Sequence, residues 1–199
     1  MPAPDDELTP AARRILAAAA ELFYGRGITA VGVDLIARHA GVTKKTLYDR
    51  FGSKDELIAR YLRERDREYR DWLTGHLDGP AADGSPRARV LATFDALGRW
   101  MRERNPRGCG FVNAAAELPD PGHPAREVIA GQKRWLRDVL RAECASAGLA
   151  GTAADDLAEE LLVLHEGATV LNGLNATTNP IAAARRLAEI ALDRAGVTT

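Results

Sequence analysis

The sequence contains little cysteine and histidine, and these scarcities exclude several classes of site. Cys109 and Cys144 are the only cysteines and have no CxxC spacing, so neither a zinc knuckle nor a disulfide framework is expected. The four histidines include no HxxxH pair, so the sequence predicts no metal ion and no cofactor. Long apolar runs are also missing: the longest fall far short of the roughly 20 residues of a membrane-spanning helix, so no membrane partner is expected.

An excess of charge of either sign is absent from the chain as a whole. Lys and Arg number 27 against 28 Asp and Glu, which argues against a protein that packages DNA regardless of sequence. The acidic first seven residues carry no secretory signal, so we expect a cytoplasmic location. Positive charge is instead concentrated locally, because residues 38–54 hold two Arg and three Lys against Asp49 alone. Such a patch can attract and hold phosphate groups.

The hydrophobic pattern predicts an all-α fold. Apolar residues recur at the helical period of about 3.6 along the chain, and no segment shows sustained alternation. Capping residues predict helix starts at Thr9-Pro10, Ser53 and Ser85, with Glu56 completing a capping box at Ser53. A loop is expected over 76–87, and turns are expected at 105–108 and 119–124.

Residues 33–51 show the pattern of a helix-turn-helix. A short helix stops at Gly41, and a second follows with Leu47 facing inward. Thr43 can cap the second helix, whose amino-terminal end then suits phosphate or base edges. The residues expected on its outer side are Thr43, Lys44, Lys45, Thr46 and Tyr48, and Lys54 is expected to bind phosphate at the edge of the patch. An ordinary solvated helical hairpin is the alternative.

The segment GITAVGVDLIARHAGVTKKTLYDRFGSKDELI, residues 27–58, resembles the N-terminal signature of the TetR family of transcriptional regulators. The likeness lies in the AGV turn, the TLY core and the F-x-S-K entry to the fourth helix, and about nine helices in roughly 200 residues also fit the family. The resemblance implies a DNA-binding domain at 1–52 and an effector-binding and dimerisation domain at 53–199. It implies a regulator without catalytic activity, most simply a repressor, whose homodimer binds a palindromic operator in double-stranded DNA. A small-molecule effector, unidentified, would release it.

The same resemblance assigns roles by position. Lys44, Lys45 and Tyr48 are expected to face bases, and the remaining three, Thr43, Thr46 and Lys54, are expected to contact phosphates or cap helices. Asp34 fits less well, because family members often have a neutral or basic side chain near that position to meet phosphate.

Two further sets of residues are candidates for the effector site and the dimer contact. Aromatic and polar side chains that can line a cavity are Phe94, Trp100, Cys109, Phe111, Asn113, Glu117, Trp135 and His165. The last two helices carry a near-heptad seam and small residues, which predict a dimer contact through Leu157, Leu161, Leu164, Ala168, Leu171, Ala184, Ala188 and Ala191. In both cases an ordinary place in the core of the chain is the alternative.

Cys109 carries the competing hypothesis from another functional class. It stands at a predicted helix start, where the helix dipole favours a thiolate. That position allows a thiol redox sensor or, together with His123, a cysteine-dependent enzyme. A small cysteine packed as an apolar residue is the simpler interpretation.

Overall fold

A computed structural model describes residues 8–79 and 84–197, and throughout this part of the chain the regular structure is α-helical. The predicted all-α fold is confirmed. The helices are α1 (Pro10–Arg26), α2 (Val33–His39), α3 (Lys44–Phe51), α4 (Lys54–Leu77), α5 (Pro86–Glu103), α6 (Gly110–Glu117), α7 (Pro124–Ser146), α8 (Thr152–Gly173) and α9 (Pro180–Arg194). None of the helices in the described ranges is both long and apolar enough to cross a membrane.

The helix starts follow the local capping signals. The hydroxyls of Thr9 and Ser85 accept hydrogen bonds from the amides three residues later, at 3.3 and 3.4 Å. Ser53 accepts from the Glu56 amide at 3.0 Å, but the expected reciprocal bond is replaced, since the Ser53 amide donates to the carbonyl of Phe51 at 2.8 Å. The loop predicted over 76–87 is shorter, because α4 continues to Leu77; residues 80–83 of that loop lie outside the described residues.

The chain forms two compact units. The first runs to Arg65 and also contains Phe111–Ile129, and the second contains Asp66–Gly110 and the residues from Ala130 onward. These are units of packing, so the assignment of 1–52 to DNA binding and 53–199 to effector binding and dimerisation stays a prediction.

The first unit is built around α1, α2 and α3, which contact one another in all three pairs. Ile15, Ile36 and Leu47 come from the three different helices and are all fully buried. Phe23 of α1 packs on Tyr61 of α4, with ring centroids 5.7 Å apart. Each short helix is therefore held by its apolar face, because seven or eight residues alone do not form a stable helix in water.

The second unit has its own hydrophobic core, in which α8 and α9 pack closely on each other and on α5. Its largest fully buried side chains include Phe94, Met101, Leu136, Leu140 and Leu161. Arg89 of α5 makes a two-pronged ion pair with the buried Glu143 of α7, with both N–O distances at 2.8 Å. The core and this pair hold α5 and α7 together.

Candidate nucleic-acid interface

The turn between α2 and α3 positions the candidate recognition helix. Gly41 has a φ of +62°, a backbone conformation that side chains with a Cβ rarely adopt. The next amide, of Val42, donates to the carbonyl of Ala37 at 3.0 Å and closes the turn. Thr43 then caps α3 by accepting from the Thr46 amide at 3.1 Å, which confirms the predicted capping role. This geometry makes the amino-terminal end of α3 a suitable place for an anion.

The side chains of α3 divide sharply between core and solvent. Leu47 is fully buried, whereas Thr43, Lys44, Lys45 and Tyr48 are exposed, with 41% of Tyr48 accessible. Thr46 is half-buried beside them, and its hydroxyl lies 2.9 Å from that of Thr43. The residues predicted to contact bases therefore share one surface of α3, and their roles in DNA binding stay predictions.

Both lysines on this surface have a carboxylate partner. Lys44 Nζ lies 3.1 Å from Asp34 Oδ2 of α2, and Lys45 Nζ lies 2.9 Å from Asp49 Oδ2, one turn later on α3. All four side chains are well exposed, so these pairs are weak and exchange readily with other partners. Asp34 thus pairs with a candidate recognition residue, which the sequence pattern did not indicate.

Lys54 has a more enclosed environment than predicted for a peripheral phosphate contact. Its Nζ donates to the carbonyl of Ile28 at 2.7 Å and lies 6.0 Å from the centre of the Phe23 ring. Burial lowers the pKa of Lys54, while the charges of Asp55 and Glu117 act in the opposite direction. Lys54 therefore ties the start of α4 to the segment between α1 and α2, and a phosphate contact through its remaining protons stays a prediction.

Three of the candidate effector residues lie in α6, within the first unit. Phe111 is buried and Asn113 is exposed. Glu117 is the last residue of α6, and its Oε2 accepts from the amide of Thr29 at 2.8 Å and from the Thr29 hydroxyl at 2.5 Å. The carboxylate therefore already has a protein partner that is 88 positions away in the sequence.

The other candidates lie in the second unit, and two of them belong to a cluster of aromatic rings. Trp100 packs on Tyr69 and Trp72, with centroid distances of 5.3 and 5.6 Å, and Tyr69 also packs on Trp135 at 6.2 Å. The guanidinium of Arg70 lies 4.7 Å from the centre of the Trp135 ring. Trp100 and Trp135, two of the candidate effector residues, thus belong to one cluster. They are joined through Tyr69, which the sequence pattern did not indicate.

His165 and Phe94 form a separate pair, 5.6 Å apart between ring centres, and both are buried. Burial lowers the pKa of His165 to about 4, so the ring is neutral at physiological pH. Its ring nitrogens make no hydrogen bond of standard length and angle with the described residues, although the backbone of Thr93 lies near enough to favour the protonated ring. Trp72 Nε1 and Gln132 Oε1 also lack partners among these residues. Buried polar atoms of this kind are uncommon in proteins and often mark a place that another molecule completes.

Cys109 is buried and lies 3.6 Å from Lys133 Nζ. That ammonium donates to both oxygens of Glu166, at 2.7 and 2.8 Å, so it is shared between the thiol and a carboxylate. His123, the partner required by the enzyme hypothesis, belongs to the first unit, where its Nδ1 accepts from the Ala125 amide at 3.1 Å. No cluster of three or more metal-ligating side chains occurs in residues 8–79 and 84–197.

Most of the predicted dimer residues lie in the core of the second unit and not on its surface. Six of the eight are buried in the core of the second unit, namely Leu157, Leu161, Ala168, Ala184, Ala188 and Ala191. Leu164 is half-buried, and Leu171 is 39% exposed. The exposed large apolar residues here are instead Val163, Val170 and Leu171 of α8, Leu174 directly after α8, and Leu187 and Ile190 of α9. A second copy can reach these side chains, whereas it cannot reach the buried six.

Comparisons with known proteins agree with the fold and with the helix-turn-helix. Residues 15–61 match the family described as bacterial regulatory proteins, tetR family, and residues 86–188 match the tetracyclin repressor-like C-terminal domain. A TetR transcriptional regulator from Streptomyces avermitilis is 30% identical, with a TM-score of 0.81, over 96% of this chain and 100% of that one.

Two curated relatives come from Mycolicibacterium smegmatis. The HTH-type transcriptional repressor KstR2 is 40% identical over 124 residues, 59% of this chain and 57% of that protein. The HTH-type transcriptional activator FasR is 37% identical over 84 residues, 42% of this chain and 37% of that protein. The matches thus span a little more than half of KstR2 and a little more than a third of FasR. Regulators of this family are not enzymes, so the cysteine-dependent enzyme hypothesis is set aside. With both halves of the family pattern present, the chain belongs to the TetR family and is a DNA-binding transcriptional regulator.

Proposed function

We propose that the protein is a cytoplasmic repressor that binds a palindromic operator as a homodimer and is released by a small-molecule effector. The observation that carries this proposal is the outer surface of α3, where Lys44, Lys45 and Tyr48 stand exposed behind the capped helix start. A helix presented in this way fits the major groove, where lysine can bind guanine and an aromatic ring can contact a thymine methyl group.

The other predicted contacts have positioning roles. Thr43 and Thr46, beside the amino-terminal amides of α3, are suited to a phosphate on one strand. Lys54 can reach a second phosphate while it keeps its bond to Ile28, because an ammonium has three protons. Contacts of this kind set the position of the protein on the duplex but do not distinguish one base sequence from another. We therefore expect them to contribute to the binding of all duplexes.

Dimerisation is supported by the exposed apolar side chains of α8 and α9. Val163 and Val170 lie at helical spacing on α8, Leu174 follows at its carboxyl-terminal cap, and Leu187 and Ile190 lie one turn apart on α9. A groove of about 470 Å³ between the two helices is lined by Leu164, Leu171 and Leu187 among others. Apolar residues that are contiguous and exposed on two neighbouring helices are typical of an interface between subunits.

Release by an effector is supported by the second unit. The buried atoms Trp72 Nε1 and Gln132 Oε1 lack partners among the residues that the structure describes, and Trp72 belongs to the aromatic cluster with Trp100. A neutral molecule that is mainly apolar and carries one or two hydrogen-bonding groups suits this composition. The effector acts only if it binds the DNA-free conformation more tightly than the DNA-bound one. Our choice of repressor over activator follows the relative that matches over the longer segment.

The first test is selection of bound duplexes from a random pool at physiological salt. We expect the parent to enrich a two-fold symmetric site whose half-sites lie about 34 Å apart, and the Lys44→Ala, Tyr48→Ala double variant to enrich none. Arg137→Ala, on α7 in the second unit, is the control for loss of an exposed positive charge. Equal enrichment by the parent and the double variant contradicts the assignment of the recognition surface.

The second test addresses the dimer. Leu187→Glu combined with Ile190→Glu places two charges on the exposed apolar surface. Sedimentation should then show monomers, and a binding assay should show loss of operator affinity. Thr74→Glu, at an exposed position of α4, is the control for an added carboxylate. A variant that remains dimeric would move the interface to another surface.

A further inference from the structure

The carboxylate of Glu117 lies on the segment that joins α1 to α2, residues 27–32, called here the α1–α2 connection. It accepts from the amide of Thr29 at 2.8 Å and from the Thr29 hydroxyl at 2.5 Å. The amide of Ile28 is a further donor to the same carboxylate. An anion that collects successive backbone amides and a hydroxyl is bound as in an anion-binding loop, except that here the anion belongs to the protein.

Gly27 is needed at this place for two reasons. Its φ is +91°, in the region that disfavours residues with a Cβ. A Cβ at this position would also lie only 3.1 Å from each oxygen of the Glu117 carboxylate. The α1–α2 connection is therefore shaped to receive the carboxylate as well as to turn the chain.

The same connection is held from a second direction by Lys54. Its ammonium binds the carbonyl of Ile28, while the carboxylate of Glu117 binds the amides of Ile28 and Thr29. Burial alone would raise the pKa of Glu117, but the hydrogen bonds from Thr29 and Ile28 and the charge of Lys54 together lower it. Glu117 is thus an anion at physiological pH, and it is part of a charged network around the connection.

A glutamate at this position does not stabilise α6. The carboxyl end of a helix carries partial negative charge, so an acidic residue in the last turn is unfavourable there. Arg126 of α7 compensates at the backbone by donating to the carbonyls of Ala115 and Leu118, at 3.1 and 3.4 Å. A residue that breaks a local rule and has specific distant partners is expected at a functional or positioning site.

The α1–α2 connection leads directly into the helix-turn-helix. α2 begins at Val33, and its first turn uses the carbonyl of Gly32 as acceptor. The turn that follows α2 is closed by the amides of Gly41 and Val42, which donate to the carbonyls of Arg38 and Ala37 at 3.2 and 3.0 Å. These bonds join α2 to α3, so a shift of the connection is passed on to α3. We propose that Glu117 is a positioning residue through which α6 holds the α1–α2 connection, and with it the recognition helix, in the geometry that binds the operator.

The test compares Glu117→Gln with Glu103→Gln, since Glu103 is likewise the last residue of its helix and is exposed. Glu117→Gln should weaken operator binding about tenfold, the effect of one charge-assisted hydrogen bond, and should speed amide hydrogen exchange at Ile28 and Thr29 by a similar factor. Thr29→Val should likewise weaken operator binding and speed amide exchange. Thr29→Ser keeps the hydroxyl, so its operator affinity and exchange rates should match those of the parent. Glu103→Gln should behave like the parent.

The outcomes separate this inference from the operator binding on which it rests. If the parent enriches no operator, the proposed function fails, while hydrogen exchange at Thr29 in the full chain still decides whether the Glu117 contact holds the connection. Faster exchange with unchanged operator affinity would overturn the positioning role. The same follows if Glu117→Gln exchanges like the parent, or if Glu103→Gln weakens operator binding equally. A melting temperature close to that of the parent for Glu117→Gln separates positioning from general loss of fold.

Discussion

Gly173, the last residue of α8, lies against the turn that precedes α6, and this contact gives a direct test of the packing. A Cβ built on Gly173 would lie 2.6 Å from the Cα of Gly108 and 3.1 Å from its amide nitrogen. Both atoms are backbone, so no flexible side chain can move aside to make room. Gly108 itself has a φ of +84°, which limits how its own segment can adjust. The substitution Gly173→Ala therefore forces the two segments apart.

The size of the effect follows from two opposed contributions. Overpacking that moves the backbone costs about 1–3 kcal/mol. Replacing glycine by alanine inside a helix returns at most about 1 kcal/mol, and less at the final residue. We expect Gly173→Ala to lower the free energy of unfolding by roughly 1–2 kcal/mol, which for a chain of this size lowers Tm by about 3–7 °C.

Thermal unfolding followed by circular dichroism at one fixed protein concentration measures the shift. Gly131→Ala is the matched control, because Gly131 lies inside α7 and the nearest atom to its Cβ would be the guanidinium of Arg134, 3.8 Å away. The control should keep or slightly raise Tm, since only helix propensity changes. A Gly173→Ala protein as stable as the parent would refute the close approach of the two backbones.

Two other predictions concern charge. Burial lowers the pKa of His165 from 6.5 to about 4, so the unfolded chain takes up a proton below pH 6.5 that the native protein accepts only near pH 4. Stability is therefore lost as pH falls across this range, and between pH 7 and 4.5 urea unfolding should show a loss about 2 kcal/mol larger in the parent than in His165→Gln; equal losses contradict a buried neutral ring. Asp34→Asn removes the carboxylate next to Lys44, so binding to unrelated duplexes should tighten a few-fold and depend more steeply on salt. An unchanged salt slope would show that the ion pair does not compete with phosphate.

The helix boundaries could be predicted from sequence because their signals are local. Thr9, Thr43, Ser53 and Ser85 each lie three residues from the amide that they cap, so a short window of sequence contains both partners. The exposed surface of α3 could be predicted for the same reason. Over a helix of eight residues, one buried leucine fixes which side faces outward.

The contacts between distant segments could not be predicted in this way. Glu117 and Thr29 are 88 positions apart, and nothing in the sequence around either residue indicates the other. An effector contact of Glu117 stays a prediction. The burial of most predicted dimer residues within the second unit could not be predicted for a different reason. α8 carries apolar residues on more than one side. One side, with Leu157 and Leu161, packs on α5 and α9, and another, with Val163 and Val170, is exposed. Periodicity alone does not distinguish these two sides.

The exposed apolar side chains of α8 and α9 have a consequence for the level of the protein in the cell. If a second copy covers them, the fraction of chains able to occupy a two-fold operator depends on the total concentration of the chain. In that case newly made single chains expose Leu174 and Ile190 to chaperones and proteases until a second copy covers them. The rate of synthesis then sets both how much protein survives and how much is paired, so a small change in expression should produce a larger change in regulation.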